Sequence, residues 1–295
     1  MAKGIFVGLS TVDVVYRVDE FPRANSKIAA RSQEIFAGGP ATNASIAFSC
    51  LGGSSTLVAT VGKHLMASAI VDEIGRYCIH LIDLNPDFDQ PPAVSSVCVN
   101  GAGERNVVSA NALRVVSANA LRIGAPLAQI DEALLGEASV VLVDGHTMQA
   151  AMAWSRAARD RGIPAVLDGG SWKAGTDELL QCIDTAICSA DFLPPGCRNE
   201  EDTIEYLQNR GVVQIAITKG AEPVRFVSGA SSGLVPVPQV DAVDTMGAGD
   251  IFHGAYCYYA ATGCGFEEAL KEAARVAAES CRFHGTREWI SHRRV

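Results

Sequence analysis

No stretch of this chain approaches the ~18 consecutive apolar residues of a membrane-spanning helix. The N-terminus, Met1-Ala2-Lys3-Gly4-Ile5-Phe6-Val7-Gly8, enters an apolar strand at once, without the hydrophobic segment of a signal peptide. There is no Cys-x-x-Cys pair. The nine cysteines (50, 78, 98, 182, 188, 197, 257, 264 and 281) are odd in number and scattered, several of them within apolar runs. They read as small buried hydrophobes in a reducing compartment, which argues against a structural zinc site. Positive charge is scarce: 24 Lys and Arg stand against 33 Asp and Glu, a net charge of −9. That balance, with a pI near 5.2, argues against nucleic acid or an anionic membrane as the main partner, though not against an anionic nucleotide met by local N–H donors. Together these absences predict a cytoplasmic protein. Two common phosphate-binding devices are missing as well: no Gly-x-x-x-x-Gly-Lys-Ser/Thr loop occurs, and Gly247-Ala248-Gly249 lacks the third glycine of the dinucleotide fingerprint.

What is present is enough apolar material for a sizeable core. The 295 residues, 48% apolar and 19% charged, suit one large α/β domain or two small ones. Ile5–Leu9, Thr56–Val61, Ser139–Asp144, Ala165–Asp168 and Val213–Thr218 are rich in Val and Ile without polar alternation, and predict buried strands. Helical composition or spacing marks Ala41–Leu51, Met66–Arg76, Thr147–Arg161, Glu201–Arg210, Gly247–Ala261 and Phe266–Phe283. The alternation implies a parallel sheet covered by helices on both faces, with ligands at the carboxyl ends of its strands. Two places break the pattern. Val14–Phe36 has no helical periodicity, and Ser95–Val108 reads as a hairpin turning at Asn100-Gly101-Ala102-Gly103. Both suggest a small β flap over the strand ends. Val107–Arg114 is repeated residue for residue by Val115–Arg122, which is either a tandem duplication lengthening a surface loop or a sequence artefact.

The chemistry concentrates at Asp244-Thr245-Met246-Gly247-Ala248-Gly249-Asp250, just before the apolar run Ile251–Tyr256. Small residues leave the backbone N–H groups of Gly247, Ala248 and Gly249 unscreened where a helix begins, and the first turn of a helix has no internal partners for such groups. With the helix dipole added, the turn is a place for a phosphate group. Asp250 beside it is positioned to take a proton from an attacking hydroxyl, and at a helix N-terminus it is expected to be ionised at neutral pH. A second cluster, Gly38-Gly39-Pro40-Ala41-Thr42-Asn43, lies roughly 200 residues upstream. Its two glycines allow backbone to approach a ligand, and the Asn43 amide can both donate to and accept from a sugar hydroxyl.

In this order and separation the two clusters resemble the paired signatures of the ribokinase-like (PfkB-type) carbohydrate kinases, and the resemblance covers nearly the whole chain. Gly8-Leu9-Ser10-Thr11-Val12-Asp13 is similar to that family's first strand and sugar-binding aspartate. Thr218-Lys219-Gly220 resembles the Thr-x-Gly turn near the nucleotide, and Ala273–Cys281 followed by Gly285 resembles the adenine-flanking segment. Val7–Pro22 and Val243–Ala255 look most like the ketohexokinase and sulfofructose kinase branches. The chain departs from the family where Asn-x-x-Glu is absent and the corresponding region reads Ser189-Ala190-Asp191-Phe192-Leu193-Pro194-Pro195, where Asp168-Gly169-Gly170-Ser171-Trp172 replaces Asp-x-Asn-x-Arg, and where Pro223 replaces the second glycine of the nucleotide turn.

The resemblance implies a single three-layer α/β/α domain over residues 1–295, with a mostly parallel sheet and a small β-stranded lid formed by segments near 14–37 and 93–125. It implies transfer of the γ-phosphoryl group of ATP to a sugar hydroxymethyl group, fructose or another ketohexose being the first expectation. Asp250 would be the base, the amides of Gly247, Ala248 and Gly249 the anion hole, and Asp13, Gly38, Gly39 and Asn43 the sugar site. Thr218, Gly220, Thr245, Gly247, Gly249 and Cys281 would meet the nucleotide. Mg²⁺ would arrive with ATP, held largely by phosphates and water; the missing Asn-x-x-Glu leaves the protein-side metal ligands unknown. Lys27 and Arg105, both on the flap, are either solvated edge cations or partners for an anionic substituent; the sulfofructose kinase branch also carries a lysine at the position of Lys27. The other readings are a kinase for sulfofructose, a keto-deoxy sugar acid, ribose or a nucleoside, and a non-catalytic sugar- or nucleotide-binding regulator. His253, Trp154 and Trp172 read as packing residues, and flap edges of this family imply a homodimer through the lid.

Overall fold

The computed structural model describes residues 1–109 and 130–293. The tandem octapeptide therefore lies outside the described residues apart from Val107, Val108 and Ser109, as does the end of the second lid segment. In chain order the strands are β1 (Lys3–Val7), β2 (Thr11–Arg17), β3 (Ser32–Gly38), β4 (Ser54–Ala59), β5 (His80–Asp83), β6 (Ala93–Val99) and β7 (Arg105–Ser109). They continue with β8 (Val140–Val143), β9 (Ala165–Gly169), β10 (Thr185–Ser189), β11 (Gln214–Lys219), β12 (Glu222–Ser228) and β13 (Ser231–Val235). The main sheet runs β13-β12-β11-β10-β9-β8-β1-β4-β5, parallel from β11 through β5 and closed at the other edge by the antiparallel pair β12 and β13. The five strands expected from apolar runs are all there, displaced by a residue or two. Those not expected, β5, β10, β12 and β13, carry polar or small residues (His-Leu-Ile-Asp, Thr-Ala-Ile-Cys-Ser, Ser-Ser-Gly-Leu-Val) that leave no continuous apolar run.

The helices are α1 (Pro40–Cys50), α2 (Ala67–Arg76), α3 (Glu132–Gly136), α4 (Met148–Asp160), α5 (Thr176–Leu179), α6 (Glu200–Asn209), α7 (Ala248–Ala261), α8 (Phe266–Ser280) and α9 (Glu288–Ser291). Two apolar layers fill the space between helices and sheet. On one face, α1, α2, α7 and α8 pack through Phe48, Ile70, Phe252 and Leu270 against Phe6, Leu57, Leu142 and Val166. On the other, α4 and α6 pack through Trp154, Ala158, Ile204 and Leu207 against Ile5, Val141, Leu167 and Ile215. A strand such as β8, Val-Val-Leu-Val, is buried on both faces, the reason its sequence shows no alternation.

A second sheet, β3-β2-β6-β7, forms the lid. Its β2–β3 and β6–β7 pairs are antiparallel, and the two hairpins join side by side through a parallel β2–β6 pairing. The β6–β7 hairpin turns at Asn100, whose side chain accepts the N–H groups of Ala102 and Glu104, both at 3.0 Å. Gly103 brings this tip against the Val243 carbonyl, which a Cβ there would meet at 2.9 Å. The lid thus reaches the segment that precedes α7.

The approach of α1 to α7 positions the site. At Gly254 the two helices come so close that a Cβ would fall 2.2 Å from the Ala44 carbonyl oxygen and 2.8 Å from the Ala47 methyl. Gly254→Ala should therefore force the helices apart and cost about 1–3 kcal/mol. The same change at Gly75 in α2, with nothing within 4 Å, should stabilise by about 0.5–1 kcal/mol. Urea denaturation of the two variants checks the contrast, and equal stabilities would contradict the close approach.

Candidate active site

Four segments distant in sequence converge at the carboxyl ends of the central strands. Gly247 is the N-cap of α7 and takes a left-handed conformation, φ +68°, which admits glycine readily. A Cβ there would meet the Thr286 methyl at 2.6 Å. The turn before it is held by the buried Asp244. One carboxylate oxygen of Asp244 accepts the Met246 N–H at 2.9 Å and the other the Gly285 N–H at 2.8 Å. The Cys281 carbonyl accepts the N–H groups of Val243 and Asp244. Cys281, expected beside the nucleotide, thus anchors the turn through its backbone.

The anion hole is narrower than the sequence predicts. The Ala248 N–H donates to the Thr245 carbonyl at 3.3 Å across the turn. Among the described residues none accepts from the N–H of Gly247 or Gly249, and open space surrounds Gly249 where a Cβ would project. Two of the three amides therefore remain for an anion. Thr245 is exposed, and its Oγ1 accepts from the Arg105 guanidinium at 3.0 Å, so the lid cation stands at the lip of the phosphate turn.

Asp250, in the first turn of α7, accepts the Asn43 Nδ2–H at 2.7 Å on Oδ2. Burial, the neighbouring carboxylate of Asp168 and, more weakly, that of Asp13 push its pKa up to about 7, against the lowering influence of Asn43 and His253. This corrects the expectation of an aspartate ionised throughout the neutral range: the α7 N-terminus does not compensate a carboxylate set among other carboxylates. Asp168 lies at the end of β9, buried, with Oδ2 lacking a hydrogen-bond partner and facing the His253 ring at 3.5 Å. The ring nitrogens of His253 lie 2.7 Å from the Gly249 carbonyl and 3.0 Å from that of Ile187. His253 thus ties the first turn of α7 to β10, consistent with a packing role.

Asp13 lies on β2, where the Thr11 hydroxyl donates to it at 2.7 Å and burial raises its pKa. Gly38 passes so near that a Cβ would fall 1.9 Å from Asp13 Oδ2, and Gly39 is the N-cap of α1. Asn43 is not free to donate and accept alike, because its Oδ1 accepts from Arg287 Nη1 at 2.9 Å. Arg287 and its ion-pair partner Glu73 belong to no motif. The trace they leave in the sequence is that Glu73 falls on the buried stripe Ala67, Ile70, Ile74 of α2.

The remaining expected residues lie apart from this centre. Thr218 lies near the end of β11 with its hydroxyl donating to the Cys188 carbonyl at 3.3 Å, and Gly220 turns β11 into β12 with open space around it. Lys27 is exposed between β2 and β3, and no hydrogen bond or ion pair joins it to Asp13, Asn43 or Asp250. Trp154 is wholly buried under the sheet, and Trp172 packs against Phe192 and Tyr206. No group of three His, Cys, Asp or Glu side chains among the described residues is arranged to hold a metal ion.

Residues 1–293 match the model of the pfkB family carbohydrate kinases. The chain belongs to that family. It is 24% identical over 287 residues to ribokinase of Bacillus subtilis, covering 94% of this chain and 92% of that one. It is 26% identical over 300 residues to an ATP-dependent ribose-1-phosphate kinase of Halopiger xanaduensis, covering 97% and 94%. In fold it is similar to a ribokinase-like structure from Agrobacterium tumefaciens (TM-score 0.83, 23% identity, 99% and 98% covered). It also resembles Arabidopsis thaliana ribokinase complexed with ribose and ATP (TM-score 0.74, 21% identity, 97% and 94% covered). The fold is ribokinase-like, and the chain is a sugar kinase.

The elevated pKa of Asp250 has a stability consequence. A carboxyl whose folded pKa lies above its unfolded value favours the folded state most below the unfolded pKa, and that contribution is lost as pH rises through the folded pKa, here about 7. The Tm of Asp250→Asn relative to wild type should rise as pH is raised from 4 through 7, reaching a gain of about 2 °C or more by pH 8.5 over its value at pH 4. A Tm difference that does not change with pH would mean that Asp250 has an ordinary carboxyl pKa.

Proposed function

We propose that the chain transfers the γ-phosphoryl group of ATP to the primary alcohol of a small neutral furanose sugar, working in the cytoplasm. The observation that carries this reading is Asp250 held by Asn43 on one oxygen, with the free amides of Gly247 and Gly249 at the head of the same helix. Phosphoryl transfer has a loose transition state, so the hydroxyl needs positioning more than early deprotonation. Asp250 Oδ1 orients the hydroxyl and accepts its proton late, and a pKa near the working pH suits that exchange. The two amides stabilise charge on the transferring group, each such donor being worth ~3 kcal/mol in comparable sites. Asp13 and the second Asn43 N–H hold sugar hydroxyls, and recognition of this kind discriminates strongly because a missing partner leaves a buried polar group unpaired. Magnesium accompanies the nucleotide, held by phosphates and water.

A neutral sugar is favoured over an anionic one by the position of the lid cations. Arg105 donates to Thr245, which this reading assigns to the nucleotide, and Lys27 has no hydrogen bond or ion pair to Asp13, Asn43 or Asp250. Ribose, the sugar in the names of several relatives, and fructose, the ketohexose first expected, both meet the requirement of a neutral ring with a primary alcohol. Two lid strands, β3 and β7, end the described lid sheet and expose Ile35, Val107 and Val108, which suits pairing of two copies through the lid.

ADP release should be measured with ribose, fructose, ribose 1-phosphate, sulfofructose and adenosine. The two neutral sugars should turn over fastest, and Asp13→Ala should raise the sugar KM by about tenfold or more, the scale of a lost buried hydrogen bond to a charged group. Turnover confined to the anionic substrates would refute the neutral-sugar reading. Absence of ADP release with every compound would refute the kinase reading of this site.

A further inference from the structure

The site contains one expensive feature that the chemistry above does not use. Arg287, on the segment entering α9, and Glu73, inside α2, form an ion pair at 2.6 Å whose side chains are only 9% and 10% exposed. Removing two charges from water costs several kcal/mol per ion, repaid only when the remaining donors and acceptors are satisfied. Here they are. Arg287 Nε donates to Glu73, Nη1 to Asn43 Oδ1 at 2.9 Å and to the Thr286 carbonyl at 3.2 Å, and Nη2 to the Ala37 carbonyl. The second Glu73 oxygen accepts the Ala37 N–H. One guanidinium therefore ties α2, the end of lid strand β3 and the side chain of Asn43 to the C-terminal segment.

We propose that the Glu73–Arg287 pair is a positioning device that fixes which way the Asn43 amide faces, so that Asn43 presents only N–H groups to Asp250 and to the sugar. The two ends of an asparagine amide are nearly the same size, and the neighbouring donors and acceptors decide which end points where. A guanidinium has donors and no acceptor, so the end facing Arg287 is the oxygen. Nδ2 then faces Asp250, one of its hydrogens bonds Oδ2, and the other remains for a substrate oxygen. In the reversed orientation the amide oxygen would face the carboxylate, repelling its charge and leaving the base without its donor. Lysine cannot replace the arginine here, because an ammonium lacks the planar fork that meets Glu73, Asn43 and Ala37 together. The idea rests on the sugar-kinase reading of Asp250 and adds to it a rule for Asn43: the substrate atom it meets must be an acceptor.

Arg287→Lys tests the fork while keeping the charge that acts on Asp13. Two measurements are needed: kcat for the best sugar, and the titration midpoint of the Asp250 carboxyl followed by carbon-13 NMR without substrate. The other charged groups facing Asp250, namely Asp168 on β9, His253 on α7 and Asp13 on β2, are unchanged in the variant. The expected result is a kcat lowered roughly tenfold to a hundredfold, the scale of a misplaced catalytic group. The Asp250 midpoint should move upward, because the lost Asn43 donor had favoured the ionised form. Should Arg287→Lys fail to fold, Glu73→Gln, which frees the guanidinium from its partner, should shift both quantities in the same directions by smaller amounts. Wild-type kcat with an unmoved midpoint would overturn the proposal. A lowered kcat with an unmoved midpoint would overturn it too, reducing the pair to a packing tie. Failure of the wild-type protein to release ADP with any sugar would refute the kinase reading instead, and the NMR midpoint would still decide the orientation of Asn43.

Discussion

The site depends on how closely α1 lies on α7. Gly254 and the Ala44 carbonyl are in contact, Asp250 lies one helical turn before Gly254, and Asn43 directly precedes Ala44. The distance between the two helices at that contact therefore sets the 2.7 Å bond between Asn43 and Asp250. A side chain in the gap would separate Asp250 from Asn43 and tilt the head of α7, with its free amides, away from α1. The close packing of backbone, more than any single polar bond, assembles the centre. Protein interiors are dense enough that such a shift is not absorbed locally.

Around that contact the electrostatics are arranged against full ionisation. Burial, the carboxylate of Asp168 and, more weakly, that of Asp13 raise the cost of charging Asp250. His253 offsets part of this from beneath, and Asn43 offers Asp250 one donor. The balance leaves Asp250 with a pKa of about 7. Asp244, which belongs to the same motif, has the opposite circumstances. Both its oxygens accept backbone N–H groups, and it serves as the brace that holds the phosphate turn to the end of α8. Neighbouring aspartates of one motif are thereby given different tasks by what surrounds them.

The lid meets this centre from two sides. Its β3 strand ends at Gly38 beside Asp13, and its β6–β7 hairpin rests on Val243 and reaches Thr245 through Arg105. Asp13 and the turn before α7 are thus both met by the same small sheet. Any displacement of the lid changes both, because the Ala37 backbone is bound to Glu73 and Arg287 and through them to Asn43.

Much of this was legible in the residues. Continuous Val- and Ile-rich runs mark buried parallel strands because both their faces are covered, and the small residues of Gly247-Ala248-Gly249 mark a helix head open to an anion because nothing larger leaves the amides accessible. Strands such as β10 and β13, polar or small in composition, were not legible, since their place comes from hydrogen bonding to neighbours and not from their own hydrophobicity. The chain by itself determined the layered α/β architecture, the phosphate turn and the carboxylate beside it, since these are properties of local sequence. Only the tertiary structure decided that Asn43 has a single polarity, that burial and Asp168 raise the Asp250 pKa to about 7, and that Arg105 bonds Thr245. Each of these depends on groups brought together across more than eighty residues of chain, and neither a pKa nor an amide orientation is set until those neighbours are in place.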